Sequence, residues 1–268
     1  MSDRLPYQLI DQVRQSNPVI FTVANEVTTS KVADGLSAIG ASPIMSAEPA
    51  EAPAMVALAN AITINLGTIT KQQLTEIHAI LNANAGRCPV VLDPVAVGSI
   101  PYRHKIANQL LHDYHFTVIR GNAGEIAALA GLDWHAHGID TGQGELDPIV
   151  IANKCAIRYR CCVALTGPTD IITDGHHLFT NPFNNRFLTL NVGSGDMLSS
   201  ILAAYLTIGN DTFQASALAC QTFSLAGIKA ANHVQGLGQW QVHFFDELSN
   251  LTATIVKNEL AERTDNND

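Results

Sequence analysis

From Val19 to Thr173, short apolar runs of strand length alternate with longer segments of helical period, and a chain with that rhythm has few ways to bury itself. Several runs are apolar on both faces, so each needs cover above and below, which a mainly parallel sheet between two helical layers supplies. The strand candidates are Val19–Val23, Pro43–Met45, Ala61–Leu66, Pro89–Leu92, Phe116–Ile119, Cys162–Thr166 and Ile171–Thr173. Helices are expected between them at Thr28–Ile39, Lys71–Asn84, Lys105–His112, Ala123–Leu129 and Pro148–Tyr159, most with a polar stripe opposite an aliphatic one. The rhythm then stops. A hairpin is expected over Ile171–Leu190, with turns at Thr173-Asp174-Gly175 and Asn181-Pro182, followed by helices at Gly195–Leu206, Thr212–Asn232 and Trp240–Leu260. The expected fold is α/β, with a mainly parallel central sheet flanked by helices and a C-terminal helical block.

Composition narrows what such a fold does. The 268 residues suffice for one large domain, and 47% apolar against 15% charged residues commits most of the chain to burial. Only the acidic tail, residues 262–268, reads as disordered. The net charge of −9 and the lack of any Lys/Arg run exclude nucleic acid as an expected partner. Cys88, Cys155, Cys161, Cys162 and Cys220 contain no C-x-x-C pair, so reduced thiols in the cytoplasm are expected rather than disulfides or zinc. The start of the chain has no apolar signal-like core, and the most apolar helical stretch, Met197–Ile208, is too short to span a bilayer. His135, His137, His176, His177 and His243 lack ligand spacing and read as loop or surface residues.

The chemistry-bearing segments end strands or open helices. Asn191-Val192-Gly193-Ser194-Gly195-Asp196 lies between an expected short strand and an apolar helix. Its glycines let amides converge, so Gly193, Ser194 and Gly195 form a candidate anion hole at a helix start. Asp196 is the candidate base that accepts an alcohol's proton in phosphoryl transfer, or alternatively a helix cap; from these residues alone the two readings stand level. In Arg120-Gly121-Asn122-Ala123-Gly124-Glu125, Arg120 is placed to neutralise phosphate and Glu125 to hold a magnesium-bound water, while Asn122 with Glu125 also spells a capping box. Asp93, heading Asp93-Pro94-Val95-Ala96-Val97-Gly98, puts a carboxylate at the ligand-binding edge of the sheet, although an Asp before Pro is also a common turn. Thr166 ends another strand, where its hydroxyl can meet a nucleotide phosphate.

Together with Asn25 and Val27, Gly40–Met45, Asn65–Thr68, Ala128–Gly131, Gly238 and His243-Phe244, these segments resemble hydroxyethylthiazole kinases of the ribokinase-like superfamily, from about Pro18 to Leu248. The resemblance implies ATP-dependent phosphorylation of 4-methyl-5-(2-hydroxyethyl)thiazole in thiamine salvage, with Mg2+, in a homotrimer whose sites lie between subunits. By position it implies that Asn25, Met45 and Gly193 bind the thiazole, Arg120 and Thr166 bind ATP, and Asp93 and Glu125 serve the metal. Two positions depart from the family pattern. Many members have cysteine where this chain has Asp196, and threonine is usual at Ala24. A carboxylate is ionised at neutral pH and accepts an alcohol's proton better than a thiol, so competent catalysis is expected; the Ala24 change bears on which alcohol fits. The rival readings are a kinase for another heterocyclic alcohol such as hydroxymethylpyrimidine, an ATP-dependent hydrate dehydratase, and a thiazole sensor without turnover.

Overall fold

A computed structural model describes residues 5–132, 146–232 and 234–265. His135 and His137 lie outside these residues. The chain begins with helix α1 (Gln8–Ser16), strand β1 (Val19–Val23), helix α2 (Thr29–Ala38) and strand β2 (Ser42–Ile44). After a 3-10 turn at Pro49–Glu51 come α3 (Ala52–Leu58), β3 (Ala61–Asn65), α4 (Lys71–Asn84), β4 (Val90–Asp93) and α5 (Pro101–Asp113). The alternation closes with β5 (Val118–Asn122), α6 (Ala123–Ala130), α7 (Pro148–Tyr159) and β6 (Cys162–Thr166). Strands β7 (Asp170–Thr173) and β8 (Leu178–Asn181) form the expected hairpin, followed by α8 (Arg186–Leu190), α9 (Ser194–Leu206), α10 (Thr212–Ala230), α11 (Leu237–Asn250) and α12 (Ala253–Asp265).

The described strands make one sheet in the order β2-β1-β3-β4-β5-β6-β7-β8, parallel from β2 to β6 and antiparallel through β7 and β8. Strand side chains alternate faces, and the two cores follow that period. Ile20, Ala61, Val91, Val118, Ala164 and Ile172 meet α1, α2 and the C-terminal helices. Phe21, Ile62, Leu92, Ile119, Val163 and Ile171 meet the helices from α3 to α7. Helix α9 packs on β1, β3 and β4 as well as on α2 and α10, and nearly all of its side chains are buried, as an apolar helix without a polar face requires.

Four features differ from the sequence reading. The segment before the Gly193 turn is the short helix α8, not a strand: Asn185 caps it by accepting from the Phe187 amide at 2.9 Å, and Phe187 is buried against Trp240. The expected helix Trp240–Leu260 is two helices, because Leu251 adopts an extended conformation and α1 takes up the groups freed there. Arg14 donates to the carbonyls of Leu248 and Leu251, and Asp11 accepts from the Ala253 amide at 3.2 Å. The tail expected to be disordered from Glu262 is helical through Asp265; Glu259 ties this last helix to Lys229 at 2.8 Å and pairs with Arg263 at 3.7 Å. Helices α1 and α3 were not anticipated, being short and, in α3, begun by a proline-containing turn.

Helix α4 buries Glu76, which is 2% exposed and leaves Oε1 without a partner. Burial, followed by the nearby Glu48 and Glu51, pushes its pKa up to about 7. A carboxyl whose pKa is higher folded than unfolded stabilises the fold at low pH and loses that contribution as pH rises from the unfolded value through the folded one. Glu76→Gln is therefore expected to match the parent near pH 4 and to exceed it by ~2 kcal/mol at pH 8. Urea unfolding at the two pH values checks this; an equal difference at both would remove Glu76 as the cause.

Candidate active site

Strand β1 lies between β2 on one side and β3 on the other, so the chain leaves β1 and β3 in different directions at their carboxyl ends. Open α/β sheets bind ligands in the crevice created at such a reversal. Here the crevice is bordered by the segment Ala24–Thr28 after β1 and by Leu66–Ile69 after β3. Asp93 ends β4, Arg120 lies within β5, Thr166 ends β6, and the first turn of α9 approaches from one face of the sheet.

That turn depends on its glycines. Gly193 caps α9 at φ +98°, and a Cβ there would sit 2.7 Å from Thr28 Cγ2. A Cβ on Gly195 would lie 2.3 Å from Arg120 Nη1, so the guanidinium rests directly on this backbone. Asp196 is the third residue of the helix and only 5% exposed. It does not cap α9. Its Oδ2 accepts from the Thr28 hydroxyl at 2.7 Å and from the Asn25 amide at 3.0 Å, whereas Oδ1 is buried without a partner. Burial, then the neighbouring Asp93, raises the Asp196 pKa to about 6, against the pull of Thr28, Asn25 and Arg120. Of the amides read as an anion hole, that of Ser194 is already used within the turn, donating to the Asn191 carbonyl at 3.1 Å. Those of Gly193 and Gly195 have no such commitment among the described residues, and neither has the adjoining amide of Asp196.

Arg120 bridges the next two strand ends. Its Nη1 lies 3.4 Å from Asp93 Oδ2 and its Nη2 donates to Thr166 Oγ1 at 2.7 Å, while Nε stays unpartnered. Asp93, 1% exposed, also accepts from Ser199 Oγ at 2.9 Å through Oδ2 and keeps a buried, unpartnered Oδ1. Burial raises its pKa, opposed by Arg120 and by the hydrogen bond from Ser199. Ser199 stands three residues after Asp196, on the same face of α9.

Glu125 takes the capping-box geometry in full. Asn122 Oδ1 accepts from the Glu125 amide at 2.9 Å, and Glu125 Oε2 accepts from the Asn122 amide at 2.8 Å. Its Oε1 accepts from the Ala96 amide at 2.7 Å, fastening the loop after β4 to the start of α6. Burial, and secondarily Asp93, raises the Glu125 pKa, while the two amides lower it.

The structure thus joins Asn25, Asp93, Arg120, Thr166, Gly193, Gly195 and Asp196 in one constellation, with Glu125 attached through the 94–98 loop. Met45 follows the edge strand β2 and is packed against the α2 and α9 side of the core. His177 pairs with Asp174 at 2.9 Å and His243 is exposed, and all five cysteines are buried and unpaired. Sequence reading missed Thr28, Ser199 and Lys31, whose Nζ donates to Asn191 Oδ1 and to the Val192 carbonyl, each at 3.0 Å. The spacing of Asp196 and Ser199, three apart in a mostly apolar helix, was the available signal.

The family model described as the hydroxyethylthiazole kinase family matches residues 10–254. A hydroxyethylthiazole kinase from Limosilactobacillus reuteri (strain DSM 20016) is 55% identical, the alignment covering 92% of this chain and 91% of the relative. The solved hydroxyethylthiazole kinase protein of Pyrococcus horikoshii OT3 superposes with a TM-score of 0.85 at 26% identity, covering 94% of this chain and 95% of that one. A ribokinase-like superfamily protein from Enterococcus faecalis V583 aligns with a TM-score of 0.65 at 14% identity over 94% and 91%, a likeness of fold alone.

Proposed function

Because the chain belongs to the hydroxyethylthiazole kinase family, we propose that it moves the γ-phosphoryl group of ATP onto the hydroxyl of 4-methyl-5-(2-hydroxyethyl)thiazole, with Asp196 as general base. The observation that carries the reading is the unpartnered, buried Oδ1 of Asp196 at the start of α9, one residue from the Gly195 backbone that underlies Arg120. In an in-line transfer, the alcohol's proton passes to Asp196 Oδ1 as its oxygen bonds phosphorus and the bridge to ADP breaks. The amides of Gly195 and Asp196, the N-terminal end of α9 and Arg120 hold the charge spreading over the phosphoryl oxygens. Thr166 steers the guanidinium and offers its hydroxyl to the nucleotide. Asn25, Met45 and Gly193 are assigned to the thiazole.

Asp93 and Glu125 are assigned to magnesium. The free Oδ1 of Asp93 suits such a role, and among the described residues no group of three or more His, Cys, Asp or Glu is arranged to hold a metal. That donor set fits Mg2+, which takes one or two carboxylates and completes its shell with water and phosphate oxygens. When bound, the ion neutralises phosphate charge. The same reading assigns the enzyme to thiamine salvage in the cytoplasm as a homotrimer. No helix among the described residues is long and apolar enough to cross a membrane, and Val27 and Val192, 70% and 62% exposed, flank the site as a subunit contact there would require.

The test is ADP formation from ATP and Mg2+ with and without the thiazole alcohol, with hydroxymethylpyrimidine in parallel. Release that depends on the thiazole is the expected result. Turnover with hydroxymethylpyrimidine alone would reassign the substrate, and turnover with neither would remove the reading.

A further inference from the structure

Thr28 occupies the N-cap position of α2, where a threonine oxygen ordinarily accepts from an amide of the first turn. Here it makes no such bond. Thr28 is 3% exposed, and its hydroxyl has two acceptors in reach: Asp196 Oδ2 at 2.7 Å and the Asn25 carbonyl at 3.2 Å. A hydroxyl has one proton to give, and the shorter, charged contact takes it. The helix thus forgoes a side-chain cap, and the hydroxyl holds a carboxylate on a different helix instead. The Asn25 amide converges on the same oxygen at 3.0 Å. Two donors on Oδ2 and none on Oδ1 fix the rotation of the carboxylate about its last bond and leave a single oxygen free. Thr28 also meets the α9 turn through its methyl, which occupies the space where a Gly193 side chain would begin.

We infer that Thr28 is the positioning residue of the base: with the Asn25 amide it clamps Oδ2 of Asp196, so that Oδ1 alone faces the acceptor hydroxyl. The inference rests on the reading of Asp196 as base. A hydrogen bond to the ionised form also keeps that form available. It works alongside Arg120 and against Asp93 and burial, the other influences on this carboxyl.

Thr28→Val keeps the shape and the methyl contact but removes the proton, and it takes no cap from α2. It is expected to lower kcat about ten- to a hundredfold with little change in KM for the alcohol, as losing one hydrogen bond to a charged group implies. The acid limb of the kcat profile should move to higher pH. Thr28→Ser, which restores the hydroxyl, should recover both; Thr28→Ala, measured alongside, serves if the valine variant folds poorly, and should behave as valine does. Asp196→Asn in the same assay separates the two layers of the argument. Lost turnover in Asp196→Asn with unchanged kcat and pH profile in Thr28→Val and Thr28→Ala would overturn the Thr28 inference alone. Full turnover in Asp196→Asn would overturn the base assignment and this inference with it. A loss in Thr28→Val that serine leaves unrepaired, with the acid limb unmoved, would make Thr28 a packing residue.

Discussion

Asp196→Asn is expected to reduce kcat by roughly 10²–10⁴-fold, the range attributable to a positioned proton acceptor, with KM for both substrates nearly unchanged. The variant keeps the size of the side chain and an oxygen for Thr28 and Asn25 to donate to, so its geometry has no reason to collapse. In the parent, the acid limb of the kcat profile should fall near pH 6, because burial and Asp93 hold the carboxyl protonated to about that value. Stability should move the other way. A folded pKa above the unfolded one means that ionised Asp196 costs stability, and that cost grows from about pH 4 to its full value above pH 6. The asparagine variant should therefore be at least as stable as the parent at pH 8, with no advantage near pH 3.5. Steady-state kinetics with thermal melts at both pH values would decide it. A variant that loses stability and activity together would implicate Asp196 in the fold rather than in proton transfer.

Gly195→Ala is expected to cost roughly a hundredfold in kcat/KM for ATP and to lower stability by about 2 kcal/mol. Exchanging glycine for alanine inside a helix ordinarily stabilises by up to about 1 kcal/mol, so the sign of the change is itself diagnostic. The reason lies 2.3 Å from the new Cβ, at Arg120 Nη1, with Cζ and Nη2 at 3.0 Å. This guanidinium is not a loose end that swings aside, because Asp93 and Thr166 hold its two terminal nitrogens. Displacing it leaves Asp93, 1% exposed, without its cation. Denaturant titration and ATP-dependence of turnover measure both effects. Parent-like stability and kcat/KM would show that Arg120 is not seated on this turn in solution.

The sheet was legible because parallel strands covered on both faces advertise themselves as isolated apolar runs: β1 and β6 fall where Val19–Val23 and Cys162–Thr166 predicted, and α4 and α7 match to the residue. The ribokinase-like architecture and the kinase family follow from the collinear segments and stand in the comparisons. What stayed hidden was whatever depends on a distant partner. Leu251 breaks a helix because Arg14 and Asp11, more than 230 positions earlier, satisfy the groups that the break releases. Thr28 looked like the first residue of a helix, and only the fold shows its hydroxyl turned toward α9. Asn122 and Glu125 had two readings, and the hydrogen bonds realise the capping box, with the Ala96 amide as an addition that no local spacing encodes.

The hold that α1 exerts on the last two helices bears on when this protein can finish folding. Arg14 is synthesised more than 230 residues before the carbonyls of Leu248 and Leu251 that receive its guanidinium. A growing polypeptide emerges from the ribosome amino end first. The contact between α1 and the carboxyl end of α11 therefore forms only after more than 230 intervening residues have been made.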